Sequence, residues 1–183
     1  MQIAEYAIAH FSFGNSKKLV LWFQGCNKHC KGCISPEWRV LGAGYKKDPE
    51  DIIAVISKSN IKEIIISGGE PLLQYEELTL LLKSLKNDNC HIILYTGYRL
   101  SEVNKYFQGI FQHIDVLIAG PYIESLNNGK GLRGSTNQKI VMVTDYFKAQ
   151  LEDFKNGVRS LELKIDPHYV MHIGIPPIDT GDL

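Results

Sequence analysis

The chain has no unbroken apolar stretch of about 18 residues, so nothing in it reads as a transmembrane helix. Its first residues, Met1-Gln2-Ile3-Ala4-Glu5-Tyr6, lack the positive segment followed by an apolar one that marks a secretory signal. Net charge is also missing: 20 Lys and Arg balance 20 Asp and Glu, and there is no dense basic run. That balance argues against nucleic-acid and membrane partners. A Walker loop and a Rossmann fingerprint are absent, as are internal repeats and low-complexity segments. What remains is 183 residues, 44% of them hydrophobic, enough for one domain with its own core. The expected location is cytoplasmic. There thiols stay reduced, and clustered cysteines read as metal ligands rather than disulfides.

Cysteine is scarce, at four residues, and three of the four fall within eight positions: Cys26-x-x-x-Cys30-x-x-Cys33. A [4Fe–4S] cluster normally takes four cysteines, one per iron. Three thiolates leave one iron open, and an open metal position can bind a substrate or cofactor and do chemistry. The loop also contains Asn27, Lys28, His29, Lys31 and Gly32, so a tight turn there brings backbone N–H groups close to sulfur. A zinc knuckle completed by His29 or a distant histidine is the alternative, although zinc ligands usually come as two pairs and no second pair exists. Cys90 stands alone and reads as a buried structural thiol.

The pattern along the chain is strand, helix, strand. Leu19 to Phe23 is a strand that ends at Gln24-Gly25-Cys26. Asp48-Pro49 opens a helix with Ile52, Ile53 and Ile56 on its inner stripe. Glu63 to Ser67 reads as a strand buried on both faces. Leu78, Leu81, Leu82 and Leu85 follow helical spacing, and His91 to Tyr95 is the next strand. Ser101 is expected to cap a third helix with Val103, Phe107, Ile110 and Phe111 inward, and Asp115 to Ala119 is a further strand. Beyond Lys139 to Val143 the pattern changes: Leu161 to Ile165 and Tyr169 to Ile173 flank an Asp166-Pro167 turn and suggest a hairpin. Four or five βα units are too few for a closed eight-stranded barrel. The expected fold is α/β, an incomplete βα barrel of mostly parallel strands (residues 1–145) with a C-terminal antiparallel extension of the same domain (146–183).

In such folds chemistry collects where strands end at their C-termini. Three further motifs lie there. Ser67-Gly68-Gly69-Glu70-Pro71 is on one reading a plain strand-to-helix turn. On the other, its glycines admit a ligand to the backbone and Glu70 holds an ammonium group. Tyr95-Thr96-Gly97-Tyr98 is a turn in which Thr96 can bond a ribose or a polar substrate group. The segment from Ile123 to Gln138 is long for a structureless connection, and Arg133 in it is a plausible anchor for a carboxylate or phosphate. Trp22 and Trp38 read as packing residues, and His10, His91, His113, His168 and His172 show no usable spacing.

Cys26-x-x-x-Cys30-x-x-Cys33 together with Gly68-Gly69-Glu70-Pro71 resembles the radical S-adenosylmethionine superfamily. Trp38-Arg39-Val40, Ser67 to Leu72, Tyr95-Thr96-Gly97-Tyr98, Asp115 to Ile118 and Arg133-Gly134-Ser135-Thr136-Asn137-Gln138 resemble, in this order, the activating proteins of anaerobic ribonucleoside-triphosphate reductases. The resemblance covers roughly residues 1–145 and implies two cofactors, a [4Fe–4S] cluster on Cys26, Cys30 and Cys33 and S-adenosylmethionine on its open iron. It implies that the backbone around Gly68, Gly69 and Glu70 receives the methionyl amino group, with Gly32 and Ile34 on the nucleobase side. It further implies reductive cleavage to a 5′-deoxyadenosyl radical that takes a hydrogen from a glycine of a glycyl-radical enzyme. A low-potential flavodoxin or ferredoxin would supply the electron, and Arg133 and Asn137 would contact substrate or partner. Two other classes fit the same residues: a radical S-adenosylmethionine enzyme acting on a peptide or small heterocycle, and a zinc-binding interaction module.

Overall fold

Four parallel strands form the centre of the computed structural model, which describes residues 1–178. They are β2 (Lys18–Phe23), β4 (Glu63–Gly68), β5 (His91–Thr96) and β6 (Val116–Ala119), paired in that order. Antiparallel strands extend the sheet on both sides. β1 (Gln2–Ala9) pairs with β2, and the two-residue β3 (Tyr45–Lys46) pairs with β1. At the other side β7 (Lys139–Met142) runs against β6. The order is β3-β1-β2-β4-β5-β6-β7, a mixed α/β fold with a mostly parallel central sheet.

β1 was not expected from the sequence. Its buried positions are Ile3, Ala7 and Ala9, and two alanines give a faint alternation. The parallel strands are plain by contrast, because both their faces are covered and Ile64, Ile65 and Ile66 are all fully buried.

Three helices cover one face. α1 (Pro49–Ser59) starts as foreseen: Asp48 and Asp51 form a capping box, and Asn60 ends the helix in the left-handed region at φ 55°. α2 (Tyr75–Asn87) buries Leu78, Leu81, Leu82 and Leu85 completely. At about 1.5–3 kcal/mol per buried leucine, this stripe outweighs any propensity term in fixing the helix. α3 (Leu100–Tyr106) departs from expectation. Ser101 lies inside it, while the Glu102 carboxylate accepts the Arg99 N–H at 2.7 Å and closes the first turn instead.

The other face of the sheet carries Val20, Trp22, Ile65, Ile93 and Ile118, and much of its cover comes from the C-terminal segment. α4 (Leu151–Asn156) brings Phe154, the turn before it brings Phe147, and the hairpin of β8 (Glu162–Asp166) and β9 (Tyr169–Ile173) brings Met171 and Ile173. The last five residues of the extension, 179–183, lie outside the described residues. No described helix is long and apolar enough to cross a membrane.

Glu162 ties the hairpin to the segment after β1. Its carboxylate accepts the backbone N–H groups of His10, Phe11 and Ser12 at 2.8–3.0 Å. Desolvation pushes this carboxyl up, but those N–H donors more than offset it and hold it below the ordinary value. A depressed carboxylate contributes stability above its unfolded pKa, and that contribution fades as pH falls through the folded value. Protection of the His10–Ser12 amides from hydrogen exchange is therefore expected at neutral pH and is lost in acid, as pH falls through the depressed folded value. Glu162→Gln should remove that pH dependence and cost about 1 kcal/mol, the discounted value for a partly exposed charge. Amide protection that stays flat with pH in the parent protein would contradict the anchor.

Candidate metal and cofactor site

Parallel pairing brings the C-terminal ends of four strands together. Phe23 lies opposite Gly68, and Thr96 opposite Ala119. The loops that leave those ends surround a cavity of about 650 Å³, within the range usual for small-molecule sites.

The cysteine loop forms one wall. The Gly25 N–H donates to the Trp38 carbonyl at 2.8 Å and the Cys26 N–H to the Arg39 carbonyl at 3.1 Å, so the loop closes on itself. The buried Gln24 amide adds bonds to the carbonyls of Glu37 (3.2 Å) and Val40 (2.9 Å). Trp38 packs on Trp22 with ring centroids 5.5 Å apart, the packing role expected of both. Cys26, Cys30 and Cys33 all line the cavity, as do Gly32 and the largely exposed Ile34. All three thiols are free and half-buried. The Lys28 N–H lies 3.3 Å from the Cys26 sulfur, the kind of contact that tunes a metal thiolate. Burial pushes the Cys26 thiol up, the Lys28 N–H opposes the rise, and Glu70 and the other two cysteines add to it. Among the described residues no three Cys, His, Asp or Glu side chains stand at metal-ligating spacing, so the loop gathers the thiols on one wall without drawing them to a point.

Across the cavity, Gly68 and Gly69 are required by the protein's own backbone. A Cβ on Gly68 would collide with Phe23, and one on Gly69 would meet the carbonyls of Gly25 and Trp38. Gly68 also sits at φ 110°, in the region that favours glycine. The Gly69 and Glu70 N–H groups donate to the carbonyls of Phe23 (2.7 Å) and Gly25 (2.8 Å). Thus the turn is locked directly onto the cysteine loop.

Glu70 is completely buried. Its carboxylate accepts the Leu72 N–H (3.0 Å), the Thr96 hydroxyl (2.8 Å) and the Gly97 N–H (2.7 Å). Desolvation nevertheless raises its pKa, with those three donors and the Lys28 charge working against the rise. Thr96 spends its proton on Glu70, so its place is beneath the carboxylate, and its oxygen accepts the Tyr98 N–H at 3.1 Å.

Arg133 and Asn137 do not line the cavity. Arg133 donates to the carbonyls of Thr136 (3.0 Å) and Gln138 (3.3 Å), and Asn137 to that of Pro121 (2.8 Å). Each keeps one buried polar atom, Nε and Oδ1 respectively, without a hydrogen-bond partner among the described residues. Their neighbour Gln138 does line it: its amide donates to Gly120 O (2.9 Å) and accepts from the Ser135 N–H (3.1 Å).

The remaining wall comes from the extension. Val170, Met171, His172, Gly174, Ile175 and Pro176 all line the cavity. Behind them Arg159, 6% exposed, donates to the carbonyls of Gly131, Lys130, Arg133 and Pro176 and to the Asn127 side chain, at 2.7–3.2 Å. Arg159 and Gln24 carried no signal in the sequence, since their partners are mostly backbone carbonyls, and Gln138 stood out there only as the end of the Arg133–Gln138 stretch, without a role of its own.

These residues fit an iron–sulfur cluster and an amino-acid-bearing cofactor. The donor set is three soft thiols on one wall. Facing them is a buried carboxylate that has no ion-pair partner at contact distance among the described residues, and Gly97 and Gly120 line the same cavity.

Residues 13–141 match the 4Fe-4S single cluster domain family. The anaerobic ribonucleoside-triphosphate reductase-activating protein of Vibrio cholerae is 34% identical over 137 residues, covering 69% of this chain and 88% of that protein. The corresponding protein of Haemophilus influenzae is 33% identical with the same coverage. The pyruvate formate-lyase-activating enzyme of Staphylococcus epidermidis is 25% identical, covering 93% of this chain and 67% of that enzyme. The chain belongs to the 4Fe-4S single cluster domain family and, within the radical S-adenosylmethionine superfamily, to the anaerobic ribonucleoside-triphosphate reductase-activating proteins.

Proposed function

We propose that this chain uses a [4Fe–4S] cluster and S-adenosylmethionine to place a radical on a glycine of an anaerobic ribonucleoside-triphosphate reductase. The observation that carries this reading is the shared cavity, in which the three cysteines and the Gly68-Gly69-Glu70 turn face one another across the ends of β2 and β4. Cys26, Cys30 and Cys33 are the residues that would hold the cluster, and three thiolates for four irons would leave one iron open. With S-adenosylmethionine bound, the cluster supplies one-electron cleavage of the sulfonium and so a 5′-deoxyadenosyl radical.

The chain's own work is positional. Gly68, Gly69 and the Glu70 carboxylate receive the methionyl ammonium. The desolvated charge of Glu70 supports this role, because a cation beside it would relieve the burial. Thr96 and the Gly97 N–H aim that carboxylate, and Gly32 and Ile34 flank the nucleobase side. Arg133 and Asn137 act through the loop they close. The sheet is read as an incomplete barrel whose inner side holds the cavity, with residues 146–183 as part of the same domain. The electron comes from a low-potential donor of the flavodoxin or ferredoxin type. A groove of about 540 Å³ outside the cavity, lined by Lys28, His29, Lys31 and Glu124, supports its docking there, and Cys30 lines both spaces.

The test is electron paramagnetic resonance on anaerobically reconstituted protein mixed with reductant, S-adenosylmethionine and the reductase from the same organism. A doublet assigned to a glycyl radical is expected. Its absence, with a loaded cluster and deoxyadenosine formed, would overturn the activase assignment.

A further inference from the structure

The C-terminal hairpin presents an apolar face to solvent at the mouth of the cavity. Among the described residues β8 and β9 pair only with each other. Their register sets Leu163 opposite His172 and Ile165 opposite Val170, so these four side chains share one face. The intervening pairs, Lys164 with Met171 and Glu162 with Ile173, point the other way, and there Met171 and Ile173 are buried in the core. On the outer face Leu163 is 58% exposed, Ile165 76% and Val170 58%. The fold does not use these three side chains, and threonine would serve the strand equally well. A contiguous exposed apolar patch marks an interaction surface.

The same face reaches the reaction site. Val170 and His172 line the cavity that holds Cys26, Cys30 and Cys33. The hairpin also lies beyond residues 13–141, the part shared with the 4Fe-4S family. The cysteines and the Gly68-Gly69-Glu70 turn fall within those residues, and the hairpin adds an outer rim to the same cavity.

We propose that the Leu163, Ile165, Val170 and His172 face docks the protein substrate and selects it. This rests on the activase reading, in which the atom attacked belongs to a macromolecule. Such a substrate has to cover the cavity mouth to reach the cysteine wall, and exposed apolar side chains meet it there from Ile34 of the cysteine loop and from Val170 of the hairpin, with Leu163 and Ile165 continuing the hairpin's face outward. Burying these side chains on association drives docking and keeps water from the cavity.

The experiment measures affinity for the reductase of the same organism and, separately, deoxyadenosine formation with a chemical reductant and no reductase. The variants are Leu163→Asp with Ile165→Asp and, as a fold-preserving pair, Leu163→Thr with Ile165→Thr. Neither position lines the cavity. The expected result is at least a tenfold loss of affinity for the Asp pair and a smaller loss for the Thr pair, with melting temperature and deoxyadenosine formation unchanged in the Thr pair. Affinity within twofold of the parent for both pairs would overturn the docking assignment. So would a change from dimer to monomer with affinity retained, which would make the face a self-association surface. A parent protein that forms no deoxyadenosine would instead sink the activase reading, a result distinct from both.

Discussion

Replacing Cys26, Cys30 or Cys33 by alanine is expected to take iron from about four atoms per chain to near zero, whereas Cys90→Ala leaves it unchanged. The three loop cysteines share one cavity wall on a segment closed by its own backbone bonds. Removing one leaves two thiols, which cannot hold three corners of a cubane. Cys90 is 1% exposed and directly precedes β5. Thr96 ends that strand at the cavity side, six residues on, so Cys90 lies about 20 Å from the site at the usual strand rise. Iron and sulfide analysis with visible absorbance reads the outcome. Loss of iron in Cys90→Ala, with the fold intact by circular dichroism, would make Cys90 a ligand and remove the open metal position. Zinc in place of iron after anaerobic purification would do the same.

The parts of this protein that sequence reveals are those where side-chain chemistry repeats with a period. The leucines of α2 and the isoleucines of β4 are such cases, and the cysteine spacing is another because metal chemistry fixes it. The parts it hides depend on pairing between distant segments. Thr96 reads as a free hydroxyl until the alignment of β4 with β5, Ile66 opposite Leu94, sets it under Glu70. Gly68 and Gly69 look like openings for a ligand, yet their lack of a Cβ is demanded by Phe23 and Gly25. Arg133 looks like an anion anchor, and one of its nitrogens, Nη1, is taken by carbonyls of its own loop. β1 escaped notice because alanine buries too little surface to signal a strand. In each case the residue type was right for chemistry, and the three-dimensional neighbour decided which chemistry.

Arg159→Ala is expected to lower the melting temperature by roughly 6–20 °C, corresponding to about 3–5 kcal/mol in a chain of this size. Arginine offers five N–H donors in a planar fork, and here they meet the carbonyls of Gly131, Lys130, Arg133, Pro176 and, at 3.5 Å, Gly134, together with the Asn127 amide oxygen. Alanine leaves those oxygens without their donor in a site that was almost wholly buried. The cost of one unsatisfied buried acceptor is about 1–3 kcal/mol, and water entering the gap recovers part of the sum. Lysine is not a remedy: three donors on a single nitrogen cannot reach partners spread from Asn127 to Pro176, so Arg159→Lys should recover less than half of the loss. The consequence reaches the cavity, since Arg159 joins the 127–134 loop to Pro176 and both line it. Hydrogen exchange should therefore quicken in both segments together, and S-adenosylmethionine affinity should fall although Arg159 is not part of the cavity lining. A variant that melts within about 2 °C of the parent would show that these bonds are replaced by water at no cost, and the extension would then be held by Glu162 and its apolar contacts alone.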